Sequence, residues 1–115
     1  MRVSMKSSVR ISKLQPQMAL ALSIVVECFR DLGINEVVIT SGEDSRHKPG
    51  SKHYTGNALD FRTHHVPRML LKALVLNIKE ALSPDFDVLL ESQDEPNEHL
   101  HVEFDPKPQT PIRSI

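Results

Sequence analysis

His99-Leu100-His101-Val102-Glu103-Phe104 alternates polar and apolar residues without a break. Successive side chains of a strand point to opposite faces, so Leu100, Val102 and Phe104 share one face and His99, His101 and Glu103 the other. This period-two pattern marks a strand half buried on its apolar side. Its polar side then directs two imidazoles into a common space. Such a strand asks for a sheet with one covered face and one open face.

The rest of the chain supplies the cover. Pro16 suits the first turn of a helix, and Met18, Leu22, Val25, Val26 and Phe29 recur at helical spacing before Gly33, a C-terminal cap. A short strand over 36–40 ends in the Ser41-Gly42 turn. Pro67 opens a second helix whose stripe is Leu70, Leu71, Leu74, Val75, Ile78 and Leu82, and Ser83-Pro84 stops it. Phe86-Asp-Val-Leu-Leu-Glu91 reads as one more strand. This order gives an α+β fold: a small antiparallel sheet, helices packed on one face, and a site cleft on the other. The polar residues 1–14 and the proline-bearing tail 106–115 are expected to be loosely ordered.

With 115 residues, 39% of them hydrophobic and 25% charged, the chain makes one globular domain, 1–115. A net charge of −1 gives no electrostatic case for nucleic acid or an anionic membrane. Cys28 is the single cysteine, so no disulfide forms within the chain, and its apolar helical setting makes it a buried structural thiol. The apolar run from Ala19 to Val26 passes straight into Glu27, Arg30 and Asp31, which marks a core helix and not a signal sequence. A monomer made in the cytoplasm is the expectation.

A second stretch, Ser51-Lys-His-Tyr-Thr-Gly-Asn-Ala-Leu-Asp60, completes the polar face. A bend at Gly56 folds His53 back towards Asp60, which a strand from Asn57 to Arg62 places on one face. His53, Asp60 and His101 are all of types that bind zinc. Three protein ligands leave a fourth tetrahedral position for water, the arrangement of catalytic zinc. Glu98 stands three positions before His101. Taken singly, each of these is as well read as a surface histidine or loop carboxylate. Their joint spacing is what points to a metal.

The run SKHYTGNALD resembles the SxHxxGxAxD signature of the zinc D-alanyl-D-alanine carboxypeptidases and L-alanyl-D-glutamate endopeptidases, and Glu98-His-Leu-His101 their (D/E)xxH signature. The wider superfamily includes lysostaphin-type peptidases and the Hedgehog signalling domain, whose zinc segment Ser51–Asp60 also resembles. The likeness covers about residues 40–105. It implies one Zn2+ per chain held by His53, Asp60 and His101, with Glu98 as general base, in a fold of the kind read above. The implied activity is hydrolysis of peptidoglycan stem peptides by metal-activated water. A Hedgehog-like zinc module without catalysis is the alternative, and a structural domain with an incidental histidine cluster is the third.

Several roles stay open. Glu91, at the end of its strand, rivals Glu98 as base. His99 shares the face of His101 and is a candidate to stabilise an oxyanion. Ser51 and His47 are candidates for substrate contact. The family carries a Tyr-Arg pair after the SG turn to hold a substrate carboxylate. Here Ser41-Gly-Glu-Asp-Ser-Arg46 departs from that pattern, leaving Arg46 displaced but able to serve. Activity on cell-wall peptides from a chain without a leader fits a phage-type lysin or an enzyme that recycles internalised wall peptides.

Overall fold

The computed structural model describes residues 1–44 and 47–108. Its elements are β1 (Arg2–Met5), α1 (Pro16–Asp31), β2 (Glu36–Ser41), a short 3-10 helix η1 (Lys52–Thr55), β3 (Ala58–Arg62), α2 (Arg68–Ala81), β4 (Phe86–Glu91) and β5 (His99–Phe104). The five strands form one sheet in the order β1-β2-β3-β5-β4. All neighbours are antiparallel except β1 and β2. The α+β class read from the sequence is the observed one.

Alternation along the strands separates two faces. Leu59 and Phe61 of β3, Val88 of β4, and Leu100 and Val102 of β5 join the core with Met18, Val25 and Phe29 of α1 and with Leu71, Leu74 and Ile78 of α2. Each such buried side chain contributes about 1.5–3 kcal/mol relative to exposure. That burial, more than helix propensity, holds α1 and α2 in place. The opposite face carries Asp60, His99, His101 and Glu103. The polar face is therefore left clear of helices, as the pattern of β5 demands.

The expectation of a loosely ordered segment 1–14 is corrected. Residues 2–5 pair with β2 in register from Arg2↔Glu36 to Met5↔Ile39. Residues 9–15 form a strap across the ends of β2 and η1. Val9 is buried in the core, with Ile11 and Leu14 packed against it. The strap's backbone is tied on both sides: Glu43 N–H donates to Arg10 C=O, and Gln15 N–H to Gly56 C=O. Local periodicity could not show this, because β1 has only a half-buried Ser4 and draws its bonds from a partner more than thirty residues away. In the tail, residues 106–108 belong to no helix or strand, and 109–115 lie outside the described residues.

Two local devices aim the site. The pairing of β2 with β3 shifts register between Ile39 and Ser41, so that Ser41 faces Asp60. Bulges of this sort commonly re-aim side chains beside functional sites. Gly56 caps η1 with φ +74, and a Cβ built there would lie 1.9 Å from Lys13 C=O. Both the left-handed backbone and the close approach of the strap require glycine.

Gly56→Ala should therefore destabilise by more than the roughly 1–2 kcal/mol of left-handed strain alone. Thermal melting checks this. A midpoint within a degree or two of the parent would mean that the strap yields freely and does not fix the turn.

Candidate metal centre

The bend at Gly56 brings His53 onto Asp60, as its spacing implied. Ser51 caps η1, its hydroxyl accepting from His53 N–H at 3.2 Å. Inside η1, the His53 ring donates from Nδ1 to Gly42 C=O at 2.8 Å. A carbonyl can only accept, so the Nε2 lone pair is the one aimed inward, 3.4 Å from Asp60 Oδ1. Backbone partners that fix a histidine tautomer in this way are typical supports of metal ligands.

His101 arrives from the other side. In the β3–β5 register it lies directly opposite Asp60, and its Nδ1 is 2.8 Å from Asp60 Oδ1. Its Nε2 is 2.7 Å from Glu103 Oε1, two residues along on the same face. Both histidines and Asp60 are buried. His53, Asp60 and His101 can hold a metal ion, since one ligand atom from each lies within 4.8 Å of the others. Glu103 went unassigned in the sequence, although its place at i+2 from His101 on an alternating strand was the signal.

The carboxylates respond to this crowding. Burial works to raise the Asp60 pKa, but the hydrogen bond from His101 and the nearby His53 ring reverse it and hold the group far below the usual carboxylate range. Burial likewise opposes a charged His101, yet its bonds to Asp60 and Glu103 prevail and raise it to about 9. Without a cation the site thus keeps a proton on His101 where the cation would sit.

Glu91 and His99 line the same cleft. Glu91 Oε1 stands 3.3 Å from His99 Nε2 and 3.8 Å from His101 Nδ1. His99 donates from Nδ1 to Asn97 C=O at 2.8 Å, which turns Nε2 towards Glu91 and, at 3.8 Å, towards Asp60 Oδ2. His47 forms one wall, stacked on His53 with ring centroids 4.0 Å apart. Its Nε2 is already committed to Asp44 C=O at 2.7 Å. Ser51 also lines the cleft, but its hydroxyl is engaged as the cap of η1. Arg46 lies outside the described residues.

The structure separates Glu98 from the cleft and so corrects its assignment as base. Its fully buried carboxylate accepts from Thr63 Oγ1, from Arg68 Nη1 at 2.9 Å to each oxygen, and from Asp94 N–H at 2.8 Å. Burial alone would raise its pKa, and these donors hold it well below the usual range. The reason is parity: Glu98 is an even position, on the side of Leu100 and Val102, whereas His99 and His101 face the cleft. Its work is to brace the turn between β4 and β5, where Ser92 and Asp94 both adopt positive φ. Such non-glycine conformations cost energy and need support from their surroundings.

The Glu43-Asp44 pair is engaged with the strap and the turn after β2. Glu43 accepts from Ser12 Oγ and from Lys13 N–H, and Asp44 from Arg10 N–H and Gly42 N–H. These two acids anchor the strap. No protein family is matched by the chain, and no curated protein is significantly similar to it.

The raised His101 pKa sets a pH dependence. In the folded, metal-free protein it lies near 9, above the 6.5 of an ordinary histidine, so its contribution to stability is complete below about 6.5 and is lost as pH rises through 9. The metal-free melting temperature should fall across that window. Uptake of a divalent cation near pH 7.5 should release about one proton, because ligand and proton compete for Nδ1. Calorimetry in two buffers of different ionisation enthalpy measures this. Zero release would show that His101 is neutral or is not a ligand.

Proposed function

We propose that the chain is a zinc-dependent peptidase of the D-alanyl-D-alanine carboxypeptidase and L-alanyl-D-glutamate endopeptidase type, acting on peptidoglycan stem peptides. The observation that carries the hydrolase reading is the carboxylate of Glu91 beside the buried His53–Asp60–His101 cluster. The sequence signatures support zinc and the peptide class of substrate.

Two imidazole nitrogens and one carboxylate, with the open side facing a cleft, suit a catalytic zinc. His53 through Nε2, His101 through Nδ1 and Asp60 would hold it. Zinc would lower the pKa of a water molecule and polarise the scissile carbonyl.

The chain's own groups do the remainder. Glu91, half exposed at the cleft wall, accepts the proton of the attacking water and passes it to the leaving amine. Asp60 stays anionic throughout and balances positive charge in the site. His101 keeps its Nε2 proton on Glu103, which makes Nδ1 the better donor of electrons. His99 commits its Nδ1 proton to Asn97 C=O, so it donates to an oxyanion through Nε2 only when that nitrogen carries a proton as well. In the non-catalytic alternative, Glu91 and His99 have no task.

Release as a phage-type lysin and action on wall fragments brought inside a cell are two settings in which this activity would meet its substrate. Among the described residues no helix is long and apolar enough to cross a membrane.

Mass spectrometry of muropeptides and whole peptidoglycan after incubation with zinc-loaded protein tests the reading. New fragments that vanish on chelation establish the activity, and their masses name the bond cut. Glu91→Gln should lower turnover at least about a hundredfold, the usual scale for a general base, with zinc content and melting temperature retained. Glu98→Gln should instead lower stability, by about 1–3 kcal/mol for a weakened buried charge pair whose arginine is half exposed, and should keep substantial turnover at low temperature. The opposite pattern would return the base to Glu98, and intact stems with zinc bound would favour the non-catalytic module.

A further inference from the structure

We infer that β4 is a docking edge for an extended peptide, which joins the sheet as a sixth strand and is led by it to the metal centre. The inference rests on the hydrolase reading for what happens to the peptide, but not for whether it binds.

β4 is a terminal strand of the sheet. It pairs with β5 at all six positions without a bulge, and its sequence, Phe86-Asp-Val-Leu-Leu-Glu91, has no proline or lysine. Exposed edges are normally blunted by such features because they invite another strand. The direction of its backbone groups follows from the bonds around it. Phe104 N–H donates to Asn57 C=O on the β3 side, and Asp105 N–H donates to Asp85 C=O on the β4 side. Alternation then assigns odd positions to the β4–β5 ladder. The N–H and C=O of Val88 and Leu90 point away from the sheet, and among the described residues nothing bonds them.

What flanks the edge fits a strand. Glu91 and the half-exposed Leu89 look into the metal cleft. On the other face a second hollow runs between α2 and β4, with apolar lining from residues such as Leu71, Val75 and Leu90; its charged members are Lys72, Lys79 and the pair Arg68–Asp94, 3.9 Å apart, so its cations outnumber its one acid. An added strand sends alternate side chains to opposite faces. The residue opposite Leu90 therefore enters the α2 hollow, and its neighbours enter the metal cleft. Neither Lys72 nor Lys79 meets a carboxylate within ion-pair distance among the described residues. The occupant is thus an extended peptide with an acidic side chain at that position, bound by main-chain bonds with one pocket per face.

The probe is acetyl-Ala-Ala-Glu-Ala-hydroxamate, which anchors on zinc, titrated into zinc-loaded protein beside a twin N-methylated at Glu. Binding should slow amide exchange at Val88 and Leu90 at least tenfold, and N-methylation should weaken affinity at least tenfold. Replacing both lysines (K72E with K79E) should reverse the preference for Glu over Lys in the probe without changing zinc content. Absence of binding, equal affinity of the twins, or unchanged exchange at Val88 and Leu90 each overturns the inference. So does protection of those amides by self-association without probe. Uncut muropeptides alongside a protected Val88 and Leu90 would sink the wall-hydrolase reading alone. Cut muropeptides without that protection would sink the added strand alone.

Discussion

Asp60 and His101 face one another because β3 and β5 pair antiparallel in a single register. A slip of one residue in either strand would carry its own polar side chain, Asp60 or His101, to the helix-covered face and bring Leu59 or Val102 into the cleft. The core prevents that slip, since Leu59, Phe61, Leu100 and Val102 are buried against α1 and α2. The same apolar contacts that stabilise the fold therefore set the spacing of two candidate ligands. The third candidate ligand, His53, lies outside the sheet and needs separate means: the Ser51 cap, the Gly56 turn and the Gly42 carbonyl.

Two of those means meet the strap. Gly42 and Gly56 both abut its backbone, at Arg10 and Lys13. Glu43 and Asp44 bind it from the loop that follows β2. A side chain at either glycine would push the strap off, and loss of the two acids would free the loop that carries His47. The division of labour is clear in physical terms. The sheet holds Asp60 and His101 by burial, whereas the strap bonds Glu43, Asp44 and Gly56, the neighbours of the segments that carry His47 and His53.

The sequence disclosed the parts that obey a local period. Both helices, the later strands and the shared face of His99 and His101 follow from spacings of 3.6 and 2. The His53–Asp60 approach was legible because one glycine in a short turn leaves few alternatives. Three features were not read correctly. β1 carries too little apolar patterning to announce itself, since an edge strand draws its support from a distant partner. The caps and anchors of the strap depend on backbone carbonyls, which have no sequence signature. Glu98 was legible and misread: motif spacing from His101 was set above the parity of the strand, and parity decides where a carboxylate points.

The strap also bears on how the molecule tolerates change in length. Its two ends are pinned to β1 and α1, and its middle is registered against two glycines with no room to spare. An inserted residue there would be transmitted directly to the His53 ring. Beyond Asp44, by contrast, the chain runs to Ser51 without entering a helix or strand wherever it is described, and extra residues in that stretch would lengthen one wall of the cleft while leaving the ligand spacing alone. Variation in what the cleft accepts is therefore mechanically free to accumulate on one side of His53, and the other side fixes the centre.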